Sequence, residues 1–224
     1  IAVAALFIFI NWETYVIAVV TGNTIESSLG YFINPLITIL FAVVILKEKL
    51  RPMQWVALSI GLVAVIVLTV DYGRPPWFAL ILALSFAIYS LAKNKVGRSI
   101  PALQSFTLES AIVMPVALIQ LAVVASMGPL MLFTGVFETT VLIGFGILTA
   151  IPLILFGAAA SRIPLASIGF IQYLTPTMQF LIAYFILLEP MPPARWIGFG
   201  LVWISLGVLT FDAIRSRRGT IPVV

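Results

Sequence analysis

Polar side chains recur at helical spacing in two long apolar segments of the chain. Steps of three and four residues bring side chains to one face of a helix, so each segment carries a polar stripe. The stripes consist of Ser27, Tyr31, Asn34 and Thr38 in the first segment and of Gln172, Thr175 and Gln179 in the second. Hydroxyl and amide groups on such a face bind either a polar solute or a neighbouring helix. We therefore predict a cavity lined by these stripes, with Asn11 and Tyr173 as further lining candidates.

A proline lies in each stripe, Pro35 in the first and Pro176 in the second. Because proline has no backbone N–H, Pro35 leaves the carbonyl of Tyr31 without its usual donor, and Pro176 does the same to Gln172. Helices broken at matching positions in two halves of a chain indicate a solute-binding site. The alternative is a pair of packing kinks, which are common in membrane helices.

Two acidic residues lie well inside apolar segments and are candidates for proton exchange. Glu109 is about two turns from the start of its segment, with Ser105 on about the same face. Glu13 lies in the first segment close to Asn11. A carboxylate away from water can take up and release a proton as its surroundings change. The alternative is a structural, hydrogen-bonded role, and the sequence suggests no Lys or Arg deep enough to pair with either acid.

The elements that must position these groups are eight apolar runs, each close to the roughly 20 residues that a spanning helix needs. We place them at 1–20, 26–46, 53–70, 77–94, 102–126, 137–160, 164–188 and 195–213. Turn formers and prolines separate the runs, and their continuous apolarity favours helices over barrel strands. Asn34 and Thr175 then lie roughly 12–15 Å from their helix starts, near the midplane of a ~30 Å hydrocarbon core. The sequence therefore predicts an all-α polytopic membrane protein.

The composition supports this class and excludes several kinds of chemistry. Only 9% of the residues are charged and 62% are hydrophobic, whereas soluble domains have roughly 25% charged residues. The chain has no Cys and no His, so disulfides, Cys/His metal sites and Ser-His or Cys-His triads are excluded. It also has no glycine-rich phosphate loop. We predict no catalytic residue, no metal, no cofactor and no nucleic-acid partner.

Basic residues are distributed unequally between the connections, which predicts the orientation. When the eight spans alternate, ten of the twelve Lys and Arg residues lie on one side, in the connections 47–52, 93–101 and 161–164 and after the last span. Only Arg74 and Arg195 lie on the other side. The side rich in basic residues, and with it the C-terminus, is therefore predicted to be cytoplasmic.

The chain also matches itself at an offset of 141 residues, which lays 26–71 over 167–212. Twelve of these 46 positions are identical. The identities outside the common apolar residues are Pro35/Pro176, Glu48/Glu189, Pro52/Pro193, Trp55/Trp196, Thr69/Thr210 and Asp71/Asp212. The two copies lie five spans apart, and an odd number of crossings inverts the second copy.

Two inverted five-helix repeats are therefore predicted. Residues 1–71 hold the last three helices of the first repeat, 76–213 hold the complete second repeat, and 214–224 form a cytoplasmic tail. The offset predicts two further helices, in about 65 residues, before Ile1. We thus expect eight of ten transmembrane helices in this chain.

Three stretches resemble the RarD group of the drug/metabolite transporter superfamily, whose repeat is the EamA domain. They are ESSLGYFINPL at 26–36, KEKLRPMQW at 47–55 and IGFIQYLTPT at 168–177. The resemblance covers essentially the whole chain. It implies a bacterial inner-membrane permease whose central cavity opens alternately to each side. Glu13 and Thr175 depart from the apolar and small residues usual at these positions, which puts the chemistry of the cavity in doubt.

The leading functional hypothesis is a secondary transporter, or exporter, of a small organic metabolite or drug that works by alternating access. Its expected partners are a small-molecule substrate and the lipid bilayer. A membrane sensor or channel that does not transport is an alternative, although the repeat and the paired prolines favour alternating access. An intramembrane enzyme is a further alternative, but it would need clustered carboxylates or metal ligands. The substrate, the direction, the coupling ion and a possible homodimer stay open.

Overall fold

The helices follow from the apolar runs and from the turn residues between them. The computed structural model describes residues 1–73, 75–128, 135–181, 184–185 and 193–218. The helices within these residues are α1 (Ala2–Val20), α2 (Thr24–Val44), α3 (Pro52–Tyr72), α4 (Trp77–Val96), α5 (Ala102–Met127), α6 (Val136–Ala160), α7 (Leu165–Gln172), α8 (Leu174–Leu181) and α9 (Pro193–Arg218).

Helix α3 shows how local sequence fixes both ends of a span. Pro52 takes the first helical position, where its missing N–H is not needed. The backbone N–H of Arg51 donates to the Oε1 atom of Gln54 at 2.8 Å, which satisfies one group at the helix start. Gly73 ends the helix with φ of 76°, a left-handed conformation that favours glycine.

Among the residues that the structure describes, seven helices, α1 to α6 and α9, are long and apolar enough to cross a membrane. The predicted span at 164–188 corresponds to α7 and α8, which are separated at Tyr173, and its last residues extend beyond the described part of the chain. The chain is therefore an all-α polytopic membrane protein, as predicted.

Two helices run further than the sequence analysis placed them. Helix α4 continues to Val96, although we ended the span at 94. Helix α9 continues to Arg218, so the predicted tail at 214–224 is helical over its first part. In α4 basic residues occupy the last turn, where positive charge interacts favourably with the negative end of the helix dipole.

The helices pack as two compact units. The first unit comprises Ile1–Phe9 and Tyr89–Ile163, and the second comprises Ile10–Ile88 and Pro164–Val224. In the first unit, α5 packs against α6. In the second unit, α2 packs against α3, α7 and α8, and α3 packs extensively along α9.

The helix starts in the second unit repeat at the predicted offset. Helices α2 and α7 begin at residues 24 and 165, and α3 and α9 begin at residues 52 and 193, in both cases 141 residues apart. The helices that this offset pairs also pack against each other, α2 against α7 and α3 against α9. The predicted repeats at 1–71 and 76–213 stay a prediction.

Candidate functional site

Four polar side chains of α4 and α5 meet inside the first unit. Each helix contributes two of them one turn apart, Tyr89 and Lys93 from α4 and Ser105 and Glu109 from α5. The Lys93 Nζ atom donates to Glu109 Oε1 and to Ser105 Oγ, both at 2.8 Å. Ser105 Oγ in turn donates to Glu109 Oε1 at 2.7 Å. We call Lys93, Ser105 and Glu109 the ionic cluster.

The ionic cluster is shielded from the surroundings of the protein. The side chains of Lys93 and Glu109 are only 2% and 4% exposed. Helix α6 closes the site with Gly157, because a Cβ atom there would lie 2.7 Å from Cε of Lys93. Only glycine leaves the lysine stem this space. The aromatic ring of Tyr89 lies 5.8 Å from the Lys93 ammonium, within the range of a cation–π contact.

The Lys93–Glu109 ion pair corrects the sequence analysis. We placed Lys93 in the basic connection 93–101 and inferred that no Lys or Arg lies deep enough to pair with Glu109. That inference was wrong because α4 runs on to Val96, so that Lys93 belongs to its last turn and points into the bundle. The one-turn spacing of Tyr89 and Lys93, which matches that of Ser105 and Glu109, was the signal that sequence reasoning missed.

Asn94 fixes the end of α4 against the end of α6 beside the ionic cluster. Its Nδ2 atom donates to the backbone oxygen of Ala160 at 2.7 Å. Ala160 is the last residue of α6, where carbonyl groups have no partner within the helix. Three helices are therefore held together around the ion pair.

The second unit contains two amide contacts of a different kind. Asn11 of α1 donates to the backbone oxygen of Leu82 at 2.9 Å and to Ser85 Oγ at 3.0 Å. Asn34 of α2 donates to the backbone oxygen of Ala83 at 3.0 Å. Two predicted cavity residues thus hold α1 and α2 to consecutive carbonyl groups of α4, as amide side chains do between membrane helices.

The two prolines behave differently. Helix α2 is continuous through Pro35, so the helix break that we predicted there is not present. The loss of one hydrogen bond is tolerated because α7 packs directly against this stretch, where a Cβ atom on Gly169 would lie 3.0 Å from the oxygen of Pro35. The helix is interrupted in the second copy, at Tyr173 between α7 and α8, one turn before Pro176.

Two buried hydroxyl groups belong to residues that were predicted to line the cavity. Thr38 and Tyr173 are both 0% exposed, and neither hydroxyl oxygen has a hydrogen-bond partner among the residues that the structure describes. Tyr173 lies at the break between α7 and α8, and its hydroxyl is beside Gly61 of α3. The side chain of Leu36 of α2 also lies beside Gly61. Buried polar groups normally find a partner, so these two are candidates to bind one.

The remaining predicted residues are dispersed. Tyr31 and Gln172 are half-buried, and Thr175 is exposed on α8. The side chain of Gln179 lies outside the described part of the chain. Glu13, the second proton-exchange candidate, is half-buried on α1 and belongs to the second unit, whereas Glu109 belongs to the first.

Sequence reasoning also missed two carboxylates that cap helices. Glu48 follows α2 and accepts from the backbone N–H groups of Leu165 and Ala166, the first residues of α7, at 2.8 and 3.0 Å. Glu26, at the other end of α2, accepts from the backbone N–H of Phe78 near the start of α4 at 2.6 Å. Carboxylates satisfy the free N–H groups and the positive dipole at a helix start. Their partners are 52 and 117 or more residues away along the chain, so no local motif reveals them.

Several known proteins are similar to the chain over nearly its whole length. Protein RarD of Streptomyces exfoliatus is 44% identical over 218 residues, which cover 97% of this chain and 69% of that protein. The uncharacterized transporter YojE of Bacillus subtilis (strain 168) is 38% identical, with coverages of 97% and 72%. Protein RarD of Escherichia coli (strain K12) is 36% identical, with coverages of 98% and 74%. The chain belongs to the RarD family.

A solved crystal structure supports the fold of this RarD family member. It superposes with a TM-score of 0.62 and covers 93% of this chain and 75% of that chain, at 20% sequence identity. No protein-family model matches the sequence. Together with the seven apolar helices, the relatives establish a multi-pass membrane permease of the RarD family.

Proposed function

We propose that this RarD family member is a secondary transporter that moves a small organic solute across the inner membrane by alternating access, with its C-terminus in the cytoplasm. The observation that carries the proposal is the packing of the related segments α2 and α7–α8 at a broken helix. Transporters with inverted repeats place the solute at such breaks, where related segments from the two halves meet.

The break between α7 and α8 supplies groups that can bind a solute. A helix end exposes carbonyl groups that have no partner within the helix, and Tyr173 and Thr38 add hydroxyl groups buried in the same unit. We propose that these two residues, with Tyr31, Gln172 and Thr175, line the solute cavity. We assign Asn11 and Asn34 to the walls of that cavity, since their amides hold α1 and α2 to α4.

Glu109 is the proposed proton-coupling residue. Its carboxylate is buried, and it is bonded to a cation whose charge it balances. Protonation would therefore weaken the contact between α4 and α5 as well as change the charge of the site. Glu13 is the second candidate.

Flux measurements with the full-length protein in proteoliposomes test this proposal. We expect at least one solute of a broad metabolite panel to be taken up against its concentration gradient when a pH gradient or a membrane potential is imposed. Flux that only follows the solute gradient would indicate a channel. No flux for any solute, with either driving force, would refute the transporter.

A further inference from the structure

We infer that Lys93 binds an anionic group of the transported solute, a carboxylate carried on an apolar body, and that Glu109 takes up a proton when it gives up its place at Lys93. This inference rests on the proposed transport function. It adds the solute class and a separate binding position at the ionic cluster of the first unit, distinct from the cavity residues proposed in the second unit. In the observed arrangement, the Glu109 carboxylate holds the position that the solute would occupy.

The first argument is the cost of a buried cation. The Lys93 side chain is 2% exposed within an apolar helix, and an uncompensated charge in such surroundings is strongly unfavourable. Glu109 is the acid that pairs with it among the described residues. When the helices open for transport, the ammonium needs an anion at every step, and an incoming carboxylate can replace Glu109 with the same geometry and charge.

The charge balance selects a monoanion and one proton. Before exchange, Lys93 carries one positive charge and Glu109 one negative charge. After exchange, the solute carboxylate lies at the ammonium, and the Glu109 carboxylate has gained one proton from solution on one oxygen, so the site is again neutral. A dianion such as phosphate would leave one negative charge uncompensated in the buried site.

The aromatic side chains around the Lys93 ammonium favour a solute whose remaining part is apolar. The rings of Tyr89 and Phe156 stack with a centroid distance of 5.9 Å and an interplanar angle of 16°. The same Tyr89 ring faces the ammonium, so a carboxylate that bonds to Nζ lies beside an aromatic wall. Aromatic carboxylates such as benzoate fit this combination of one cation and stacked rings.

Helices α4, α5 and α6 surround Glu109, and each presents few titratable groups to it. Helix α4 presents Lys93 and Tyr89, and Tyr89 is close enough to interact with the Glu109 carboxylate. Helix α5 adds Ser105, which does not titrate near neutral pH. Helix α6 presents Phe156 and Gly157, and its sole ionisable residue, Glu138, lies in the first turn at the other end of the helix.

Proton uptake on binding tests the inference. The purified full-length protein in weakly buffered detergent solution is titrated with benzoate and, in parallel, with benzamide, its neutral analogue, while a pH indicator records protons taken up. We expect benzoate to bind at least tenfold more tightly than benzamide, with about one proton taken up per benzoate bound. Glu109→Gln should bind benzoate without proton uptake, because a side-chain amide does not accept a proton near neutral pH.

The double variant K93Q/E109Q provides the decisive comparison, since it carries no charge in the cluster and avoids an unpaired charge that could prevent folding. We expect it to lose the preference for benzoate over benzamide. Equal benzoate binding by the wild type and the double variant would overturn the inference, and so would wild-type binding without proton uptake. If neutral solutes are transported but benzoate, phenylacetate and hexanoate all fail to bind, the inference fails and the transporter stands. If no solute at all is transported, the proposed function itself fails.

Discussion

The ionic cluster of the first unit and the amide contacts of the second unit solve the same physical problem in different ways. Both place polar side chains inside apolar helices and satisfy them across a helix contact. Asn11 and Asn34 are neutral and bond to backbone carbonyl groups, which do not change with pH or ligand. Lys93 and Glu109 carry charge, and each depends on the other. We propose that the ability to change charge distinguishes the ionic cluster, as a functional site, from the amide contacts, which hold helices together.

The largest expected effect is on the buried ion pair. Lys93→Met keeps most of the side-chain volume but leaves Glu109 buried without a cation. We expect the free energy of unfolding in detergent to fall by about 3–5 kcal/mol. The double variant Lys93→Met/Glu109→Gln removes both charges and should recover most of this loss.

The ion pair between Arg51 and Asp212 is the matched control. Its N–O distance is also 2.8 Å, but Arg51 is 44% exposed. Arg51→Gln should therefore lower the free energy of unfolding by at most about 1 kcal/mol. Similar losses for Lys93→Met and Arg51→Gln would show that burial does not distinguish the two pairs.

A smaller effect is expected for the glycine that makes room for Lys93. Gly157→Ala places a Cβ atom against the lysine stem, and we expect a loss of about 1–3 kcal/mol in the free energy of unfolding. Gly144 lies in the same helix, and a Cβ atom there would have no neighbouring atom within 4 Å. Gly144→Ala should instead gain roughly 0.5–1 kcal/mol, because alanine favours the helix. Equal changes in the two variants would mean that α6 does not constrain the ion pair.

The smallest effect is expected for the amide contacts. Asn34→Ala removes one hydrogen bond to a carbonyl group of α4, and we expect a loss of about 0.6–2 kcal/mol that is independent of pH between 5 and 8. Thr175→Val, on the exposed side of α8, should leave stability unchanged and alter solute affinity in binding titrations. A stability loss for Thr175→Val with none for Asn34→Ala would reverse these assignments.

The sequence was sufficient for the helices because these depend on local composition. Continuous apolar runs, Pro52 and Gly73 define the ends of α3, and the offset found in the sequence returns in the starts of α2 and α7. The polar stripe on α2 is also where sequence periodicity placed it, with Asn34 and Thr38 buried.

The site was less predictable because it depends on contacts between distant residues. Lys93 lies close to Lys95 and Arg98, and such a basic group predicts a loop, whereas its pairing with Glu109 is visible only once α4 and α5 are placed side by side. Pro35 predicts a broken helix from local geometry alone, but the packing of α7 against α2 outweighs one missing hydrogen bond. The caps made by Glu26 and Glu48 likewise depend on tertiary structure.

The pH dependence of solute flux in wild type and Glu109→Gln tests the central claim most directly. Both proteins are reconstituted as the full-length chain in proteoliposomes, and uptake of the best solute of the panel is measured from pH 5 to 8 with an imposed pH gradient. The proposed coupling predicts that the wild type accumulates solute in response to the gradient, and that Glu109→Gln equilibrates the solute without accumulation at any pH. Accumulation by Glu109→Gln with the pH profile of the wild type would contradict it.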